Sequence, residues 1–358
     1  MAASPIDPDV ARAATPDGAF YGEPAFALQR ARLFPRTWHL ATLRGGELPQ
    51  GHVQPWTLLP GALDEPLLWT RAGDGRLRCL SNVCTHRGNL LCDDGGSRNA
   101  LRCGYHGRTF DLDGRMKSAP GFEGAADFPR ARDDLPAATV GECAGLHFCA
   151  LQPAVPFAQW SAPAADLLAL LPQPLAPAPS RTRDYEVAAN WALYVDNYLE
   201  GMHIPYVHRA LAQALAVADY EHELAPWSTL QVGVAQPGEP VLELPRGHRL
   251  HGRRIAGLYL WLFPCTMLNL YPWGLSANVV EPLAPARARV RYLTWVVRPE
   301  LQEKGAGGDL DTVEREDQAV VTATQRGVQA RLYAGGRYAP RHEAGVHLFH
   351  RLLTQLLA

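Results

Sequence analysis

Apolar runs in the last third of the chain are short and closely spaced. LYLWLF (258–263), TMLNLY (266–271) and RVRYLTWVV (289–297) each predict a strand. Around them the period changes. AFALQRARLFPRTWHLA (25–41) carries Phe26, Leu28, Ala31 and Leu33 at helical spacing, and Pro35 is expected to end that helix. A second helix is predicted over 188–203, and a further helical stretch runs, interrupted, from about Leu310 to Leu357. Between 40 and 153 the runs PLLWTRAG, LRCLSNV and GRTFDLDGRM are broken by Gly, Asp and Pro. They read as strands and turns, with Leu112-Asp113-Gly114 as a hairpin tip. The Pro/Ala-rich passage within 153–181 reads as a connection over the surface. The expected class is α+β: residues 1–39 form a tail and a helix belonging to a second domain, 40–153 form a small all-β domain, and 154–358 complete a helix-flanked antiparallel sheet.

Composition narrows the function classes. The chain has 358 residues and a net charge of −2, which gives no electrostatic ground for nucleic acid or an anionic membrane as partner. No apolar run approaches the roughly 20 residues that span a bilayer. The stretch MAASPIDPDVARAATPDG lacks the basic start and apolar core of a signal peptide and reads as a partly disordered tail, so a cytoplasmic location is expected. The cysteines number seven, an odd count in a chain too long to need disulfide staples. Cys clustered with His then points to metal.

That cluster is CTHRGNLLCDDGGSRNALRCGYHGRTF (84–110). Cys84 and His86 form one mixed pair and, sixteen residues on, Cys103 and His106 form another. Zinc sites of the Cys2His2 kind group two cysteines and then two histidines. Mixed pairs suit a Rieske [2Fe–2S] cluster, in which each loop sends one ligand to each iron. Gly88, Gly104 and Gly107 let the backbone approach the inorganic sulfides. Cys92 has no His partner and is expected to be structural.

A second constellation is NWALYVDNYLEGMHIPYVH (190–208). On an unbroken helix Asp196, Glu200 and His203 share one face, whereas His203 and His208 are about 140° apart. Pro205 between them is the expected kink that brings His208 back. The spacing by itself leaves two readings, ordinary partly buried histidines on an amphipathic helix or metal ligands; two imidazoles and one carboxylate on one side of a metal suit O2-activating non-haem iron(II). For the carboxylate, the helical stretch from 310 to 328 offers Asp311, Glu314, Glu316 and Asp317. Its apolar positions are Val313, Ala319, Val320 and Ala323, and spacing alone does not choose among the acids.

CTHRG with CGYHGRTFDLDG, then DNYLEGMHIPYVH, then EDQAVVTATQRG, resembles the α-subunits of Rieske non-haem iron oxygenases. Arg108, MLNLYPWGLSANVVEP and GRYAPRHEAGVHLFHRLL are similar to the choline, carnitine and glycine-betaine monooxygenase branch; many ring-hydroxylating members carry Trp where Arg108 stands. The resemblance implies a cluster held by Cys84, Cys103, His86 and His106, and iron(II) held by His203, His208 and Asp317, with Glu316 the rival of Asp317. It implies that Glu200 bridges a cluster histidine of one subunit and an iron histidine of the next, within a homotrimer. It also implies NAD(P)H electrons delivered by a separate flavin or iron–sulfur reductase, or through a ferredoxin. No G-x-G-x-x-G opens a predicted helix after a strand, in keeping with a reductase on another chain. The expected reaction puts one or two oxygen atoms from O2 into a small organic substrate. A quaternary ammonium compound is the first expectation, an aromatic or natural-product substrate the alternative, and a bare electron carrier the reading that the second iron motif disfavours. Tyr194, Tyr198, Trp261, Tyr271 and Trp273 are candidates for a cation box, with core packing as the competing role of each. His342, His347 and His350 are expected to pack or face solvent.

Overall fold

The structure, a computed structural model, describes residues 5–41, 47–175 and 177–358. It divides into two compact units. One takes the chain up to Phe34, Cys143–Gly145 and Val155–Ala358; the other takes Pro35–Glu142 and Leu146–Ala154.

The smaller unit is built of strands β1 (His39–Leu40), β2 (His52–Leu58), β3 (Glu65–Arg71), β4 (Leu77–Ser81), β5 (Gly96–Ser97), β6 (Leu101–Arg102), β7 (Thr109–Phe110), β8 (Met116–Ser118), β9 (Ala137–Cys143) and β10 (Leu146–Ala150). They form a seven-stranded sheet in the order β1-β10-β9-β4-β3-β2-β5 and a three-stranded sheet β6-β7-β8. The expected hairpin tip is present: Phe110 pairs with Met116, and Gly114, at φ 94°, closes the turn onto Asp111. Cys84 and Cys103 lie in the apolar core with Leu68, Leu80, Leu101 and Phe110. Cys92 is buried there too. Asn82 fixes it from both sides, donating to its carbonyl at 2.7 Å and accepting its amide at 3.0 Å.

The larger unit carries strands β11 (Arg183–Val187), β12 (Glu221–Ala225), β13 (Ser228–Val234), β14 (Ile255–Leu262), β15 (Thr266–Tyr271), β16 (Gly274–Ala284) and β17 (Arg287–Val296). They make one antiparallel sheet, β11-β17-β16-β15-β14-β13-β12. Every residue of β14 and β15 is buried, which is why these strands read as near-continuous apolar runs rather than alternating ones. The helices of this unit are α1 (Glu23–Arg32), α2 (Phe157–Leu168), α3 (Trp191–Tyr198), α4 (Ile204–Val207), α5 (Arg209–Ala214), α6 (Leu310–Val328) and α7 (Ala344–Leu357).

Four expectations need correction. The connection expected over 153–181 contains α2, whose Trp160, Ala164, Leu167 and Leu168 are buried at helical spacing. Burial of that stripe outweighs the single hydrogen bond lost at Pro163. The segment 9–16 of the expected disordered tail is tied down: Thr15 N–H bonds Gly336 O at 3.0 Å, and Arg337 Nε bonds Ala13 O at 3.1 Å; residues 1–4 lie outside the described residues. The helix expected over 188–203 stops at Tyr198, ahead of Pro205, so Glu200 and His203 do not continue the face of Asp196. The buried stripe of α6 is Glu314, Val321, Gln325 and Val328, not the apolar set named from sequence. Ala319 and Ala323 are exposed, because a small side chain loses little in water, while the buried polar members are hydrogen-bonded.

Candidate metal centres

The two Cys/His loops repeat one backbone pattern. Cys84 N–H bonds Asn89 O at 2.8 Å and Gly88 N–H bonds Cys84 O at 3.0 Å; Cys103 N–H bonds Arg108 O at 2.8 Å and Gly107 N–H bonds Cys103 O at 3.0 Å. Gly88 and Gly107 hold φ of 75° and 73°, the left-handed region that lets each loop close. The loops bury both sulfurs and leave the imidazoles toward solvent, His86 partly buried and His106 exposed, their ring centres 4.7 Å apart. Burial pushes both thiols up. At Cys103, N–H groups of Tyr105 and His106 outweigh that and leave the thiol below its ordinary value. At Cys84 burial prevails over the His86 N–H. Amide donors aimed at buried thiols, with sulfurs and imidazoles segregated, fit a two-iron cluster. Behind it Arg108 is buried, its guanidinium 4.7 Å from the Phe122 ring centre and 3.0 Å from Thr85 Oγ1.

In the larger unit the sequence positions α3 firmly. Asn190 caps it by accepting the Ala192 amide at 2.9 Å and donating to Pro285 O at 2.7 Å, and Trp191 Nε1 donates to Gln29 at 2.9 Å. Past Tyr198 the chain turns through Gly201, where an added Cβ would meet the Tyr220 ring at 3.0 Å. The turn carries Glu200, which accepts the amides of Met202 and His203. His203 then opens α4 and His208 closes it.

His203, His208 and Asp317 meet, each offering one ligand atom within 4.8 Å of the others; among the described residues this is the group able to hold a single ion. Asp317 Oδ1 lies 3.0 Å from His208 Nε2 and 3.6 Å from His203 Nε2. Asn197 Nδ2 donates to the same oxygen at 2.6 Å. The far nitrogens are engaged as well: His203 Nδ1 with Glu200 at 2.6 Å, His208 Nδ1 with Glu316 at 2.7 Å. Of the two rival acids, Asp317 therefore faces both Nε2 atoms, while Glu316 sits behind one ring. Burial lowers the His208 imidazolium, but Asp317 and Glu316 outweigh it and raise its pKa. The donor set, two Nε2 and one carboxylate with each Nδ1 held by a second carboxylate, fits iron(II) bound on one face.

A pocket opens beside this group. Tyr194, Tyr198 and Tyr271 of the expected box line it; Trp261 and Trp273 do not. Trp261 packs edge-on to Phe263 and Phe349, and Trp273 stacks on Tyr271 and donates to Gly307 O at 3.1 Å. Sequence reasoning missed Tyr220, Tyr259 and Tyr292, and also Gln231 and Asn269. Gln231, Tyr259 and Asn269 lie opposite one another on β13, β14 and β15, so one cross-strand row faces the pocket. The available signal was a polar residue at alternate positions of an otherwise apolar strand. Of the three C-terminal histidines, His342 is exposed and two pack: His350 Nδ1 meets Tyr338 OH at 2.8 Å and its Nε2 meets Asp196 at 3.0 Å, and His347 Nε2 meets Asp7 O at 2.7 Å.

Glu314, one of the four acids offered from sequence, is fully buried. Burial pushes it up to about 7, against donation from Tyr194, Gln318 and Tyr292. A carboxyl with a raised folded pKa adds stability at low pH that is lost as pH rises through the window from about 4.5 to about 7. Glu314→Gln has no charge to lose. It is expected to gain on the parent chain between pH 5 and pH 8, by roughly 3 kcal/mol at most. Denaturant unfolding at both pH values measures this.

The family description "Ring hydroxylating alpha subunit (catalytic domain)" matches residues 177–358, and "Rieske [2Fe-2S] domain" matches residues 44–129. The chain is 29% identical to the carnitine monooxygenase oxygenase subunit of Escherichia coli (strain K12), over 93% of this chain and 90% of that one. It is 26% identical to the chloroplastic choline monooxygenase of Spinacia oleracea, over 96% of this chain and 78% of that one. A solved quaternary ammonium Rieske monooxygenase, described for carnitine oxidation and inter-subunit electron transfer, is 25% identical with a TM-score of 0.77, covering 98% of this chain and 97% of its own. With a Rieske domain ahead of a matched catalytic domain, the chain belongs to the ring-hydroxylating α-subunits and is a Rieske-type non-haem iron oxygenase, a terminal oxygenase carrying a [2Fe–2S] cluster and a mononuclear iron.

Proposed function

We propose that this oxygenase hydroxylates a small quaternary ammonium compound. The observation that carries the reading is the pocket wall. Six tyrosines line it, at positions 194, 198, 220, 259, 271 and 292, with the carboxylates Glu200 and Asp317, and none of the described lining residues is Lys or Arg. Aromatic faces attract a cation with no N–H to donate, and a wall without cations does not repel it. The relatives that act on carnitine and choline support the same class.

Cys84 and Cys103 would hold one iron of the cluster and His86 and His106 the other; His203, His208 and Asp317 would hold the mononuclear iron. When bound, the two centres supply electrons and O2 activation. The protein's own part is positional. Glu200 and Glu316 hold the Nδ1 protons of His203 and His208, so each Nε2 is free to ligate. Asn197 steadies Asp317, and the tyrosines hold the cation in place of water. Hydroxylation beside the nitrogen then breaks a C–N bond, and hydroxylation of an alcohol carbon yields an aldehyde.

The proposal includes a homotrimer in which Glu200 of one subunit lies against the cluster loop of the next, a cytoplasmic location, and a separate flavin or iron–sulfur reductase or ferredoxin. Inter-subunit electron transfer in the solved neighbour supports the assembly. Seven free cysteines suit a reducing compartment. The test is substrate-dependent O2 uptake with a reductase and NAD(P)H, read with product mass. Choline, betaines and carnitine are expected to stimulate uptake. Stimulation by aromatic hydrocarbons alone would replace this reading with the aromatic one.

A further inference from the structure

We propose that Glu314 is a specificity-determining residue, the counter-charge of the substrate's cation, acting through the hydroxyls of Tyr194 and Tyr292 on the pocket wall. The inference rests on the quaternary ammonium reading and names the residue that enforces it.

Glu314 lies one turn before Asp317 on α6 and has no exposed surface. Its Oε2 accepts from Tyr194 OH and, at 2.7 Å, from Tyr292 OH; its Oε1 accepts from Gln318 Nε2 at 2.8 Å. Every group it meets can donate, so the arrangement satisfies an ionised carboxylate, the form Glu314 takes above about pH 7. Yet no Lys, Arg or His among the described residues forms an ion pair with it, and the charge it feels most is that of Asp317, of the same sign. A buried carboxylate is ordinarily paired with a cation or a metal. The missing positive charge has a place to come from. Tyr194 and Tyr292 both line the pocket, and their hydroxyls approach to 3.4 Å of each other over the carboxylate. A phenol that donates to an anion has a more electron-rich ring and oxygen, and a cation against that wall is drawn to both.

The competing role is a bracket tying α3, β17 and α6 together through the same hydrogen bonds. Size-matched substitution separates the two. Glu314→Gln keeps the shape and an acceptor for the tyrosines but removes the charge. Tyr194→Phe with Tyr292→Phe keeps both rings and the carboxyl but cuts the link. The probes are choline and 3,3-dimethylbutan-1-ol, its neutral isostere with a tert-butyl group for trimethylammonium. Binding to the oxidised holoenzyme, without turnover, is measured by calorimetry. The parent enzyme is expected to prefer choline, and each variant to lose roughly tenfold or more for choline with the neutral alcohol unchanged. An unchanged choline affinity in Glu314→Gln would overturn the assignment while leaving the substrate class standing. Equal loss for both probes would make Glu314 the bracket. A parent enzyme that does not distinguish the two probes would remove the substrate class, and this inference with it.

Discussion

Asp317→Ala is expected to lose about one iron per chain and all substrate-dependent O2 uptake, while the visible and paramagnetic-resonance spectra of the cluster stay as they are. Asp317 Oδ1 is the atom that faces both Nε2 nitrogens, at 3.0 and 3.6 Å. Without it, two neutral imidazoles are left to bind a hard divalent cation, and they hold iron(II) weakly. Glu316 does not substitute, because it is committed to His208 Nδ1 on the other side of the ring. Glu316→Ala is the matched control. It leaves the three proposed ligands in place but loosens one of them, and losses of this kind run to roughly 10- to 100-fold in metal affinity. The two variants therefore differ in kind: one empties the site, the other weakens it. Iron loss in Glu316→Ala with retention in Asp317→Ala would exchange the two assignments. The cluster is a suitable internal reference, since its four candidate ligands all lie within 84–106, far in sequence from position 317.

These two sites differ in how far the sequence discloses them, and the reason is locality. The candidate cluster ligands sit in two short loops, so spacing alone separates a mixed Cys/His pattern from a zinc pattern. The other group draws His203 and His208 from one turn and Asp317 from a helix more than a hundred residues on. Periodicity offered four acids there without ranking them; only the resemblance pointed to Asp317. The turn itself was misplaced, because Pro205 looks like the breaker whereas the chain leaves the helix at Leu199. Pro205 instead sits in the first turn of α4, where its missing N–H has no partner to lose. Strands β14, β15 and β17 were legible as strands, but not by face. Tyr259 and Trp261 are alternate residues of β14 on the same side of the sheet; one lines the pocket and the other packs under α7. Aromatic content alone does not say which. The burial of Glu314 was hidden for a different reason: an acid on a helix is usually solvated, and it takes the two tyrosines brought by α3 and β17, with Gln318, to make its burial tolerable.

Glu200→Gln is expected to retain the fold and both metals and yet to oxidise its reduced cluster more slowly when substrate and O2 are added, by roughly 10- to 100-fold. In the structure Glu200 divides its oxygens. Oε1 takes His203 Nδ1 at 2.6 Å, and Oε2 takes the amides of Met202 and His203, the latter at 3.2 Å. All of these partners are donors when His203 ligates through Nε2. A glutamine of nearly the same size has one acceptor oxygen. Its NH2 must then face either the imidazole N–H or the backbone N–H pair, and either contact becomes donor against donor. The turn survives because His208 and Asp317 still define the site, but the tautomer and tilt of His203 are no longer fixed. Within the proposed trimer the same carboxylate is the contact between His203 and His106 of the partner subunit, so the substitution weakens both ends at once. Stopped-flow single turnover reads this directly: a chemically reduced enzyme is mixed with substrate and O2, and the reduced-cluster spectrum persists. Metal analysis on the same sample separates slow transfer from simple iron loss. Reoxidation at the parent rate, with iron retained, would mean that Glu200 serves only the local turn and that electrons reach His203 by a route that does not pass through its carboxylate.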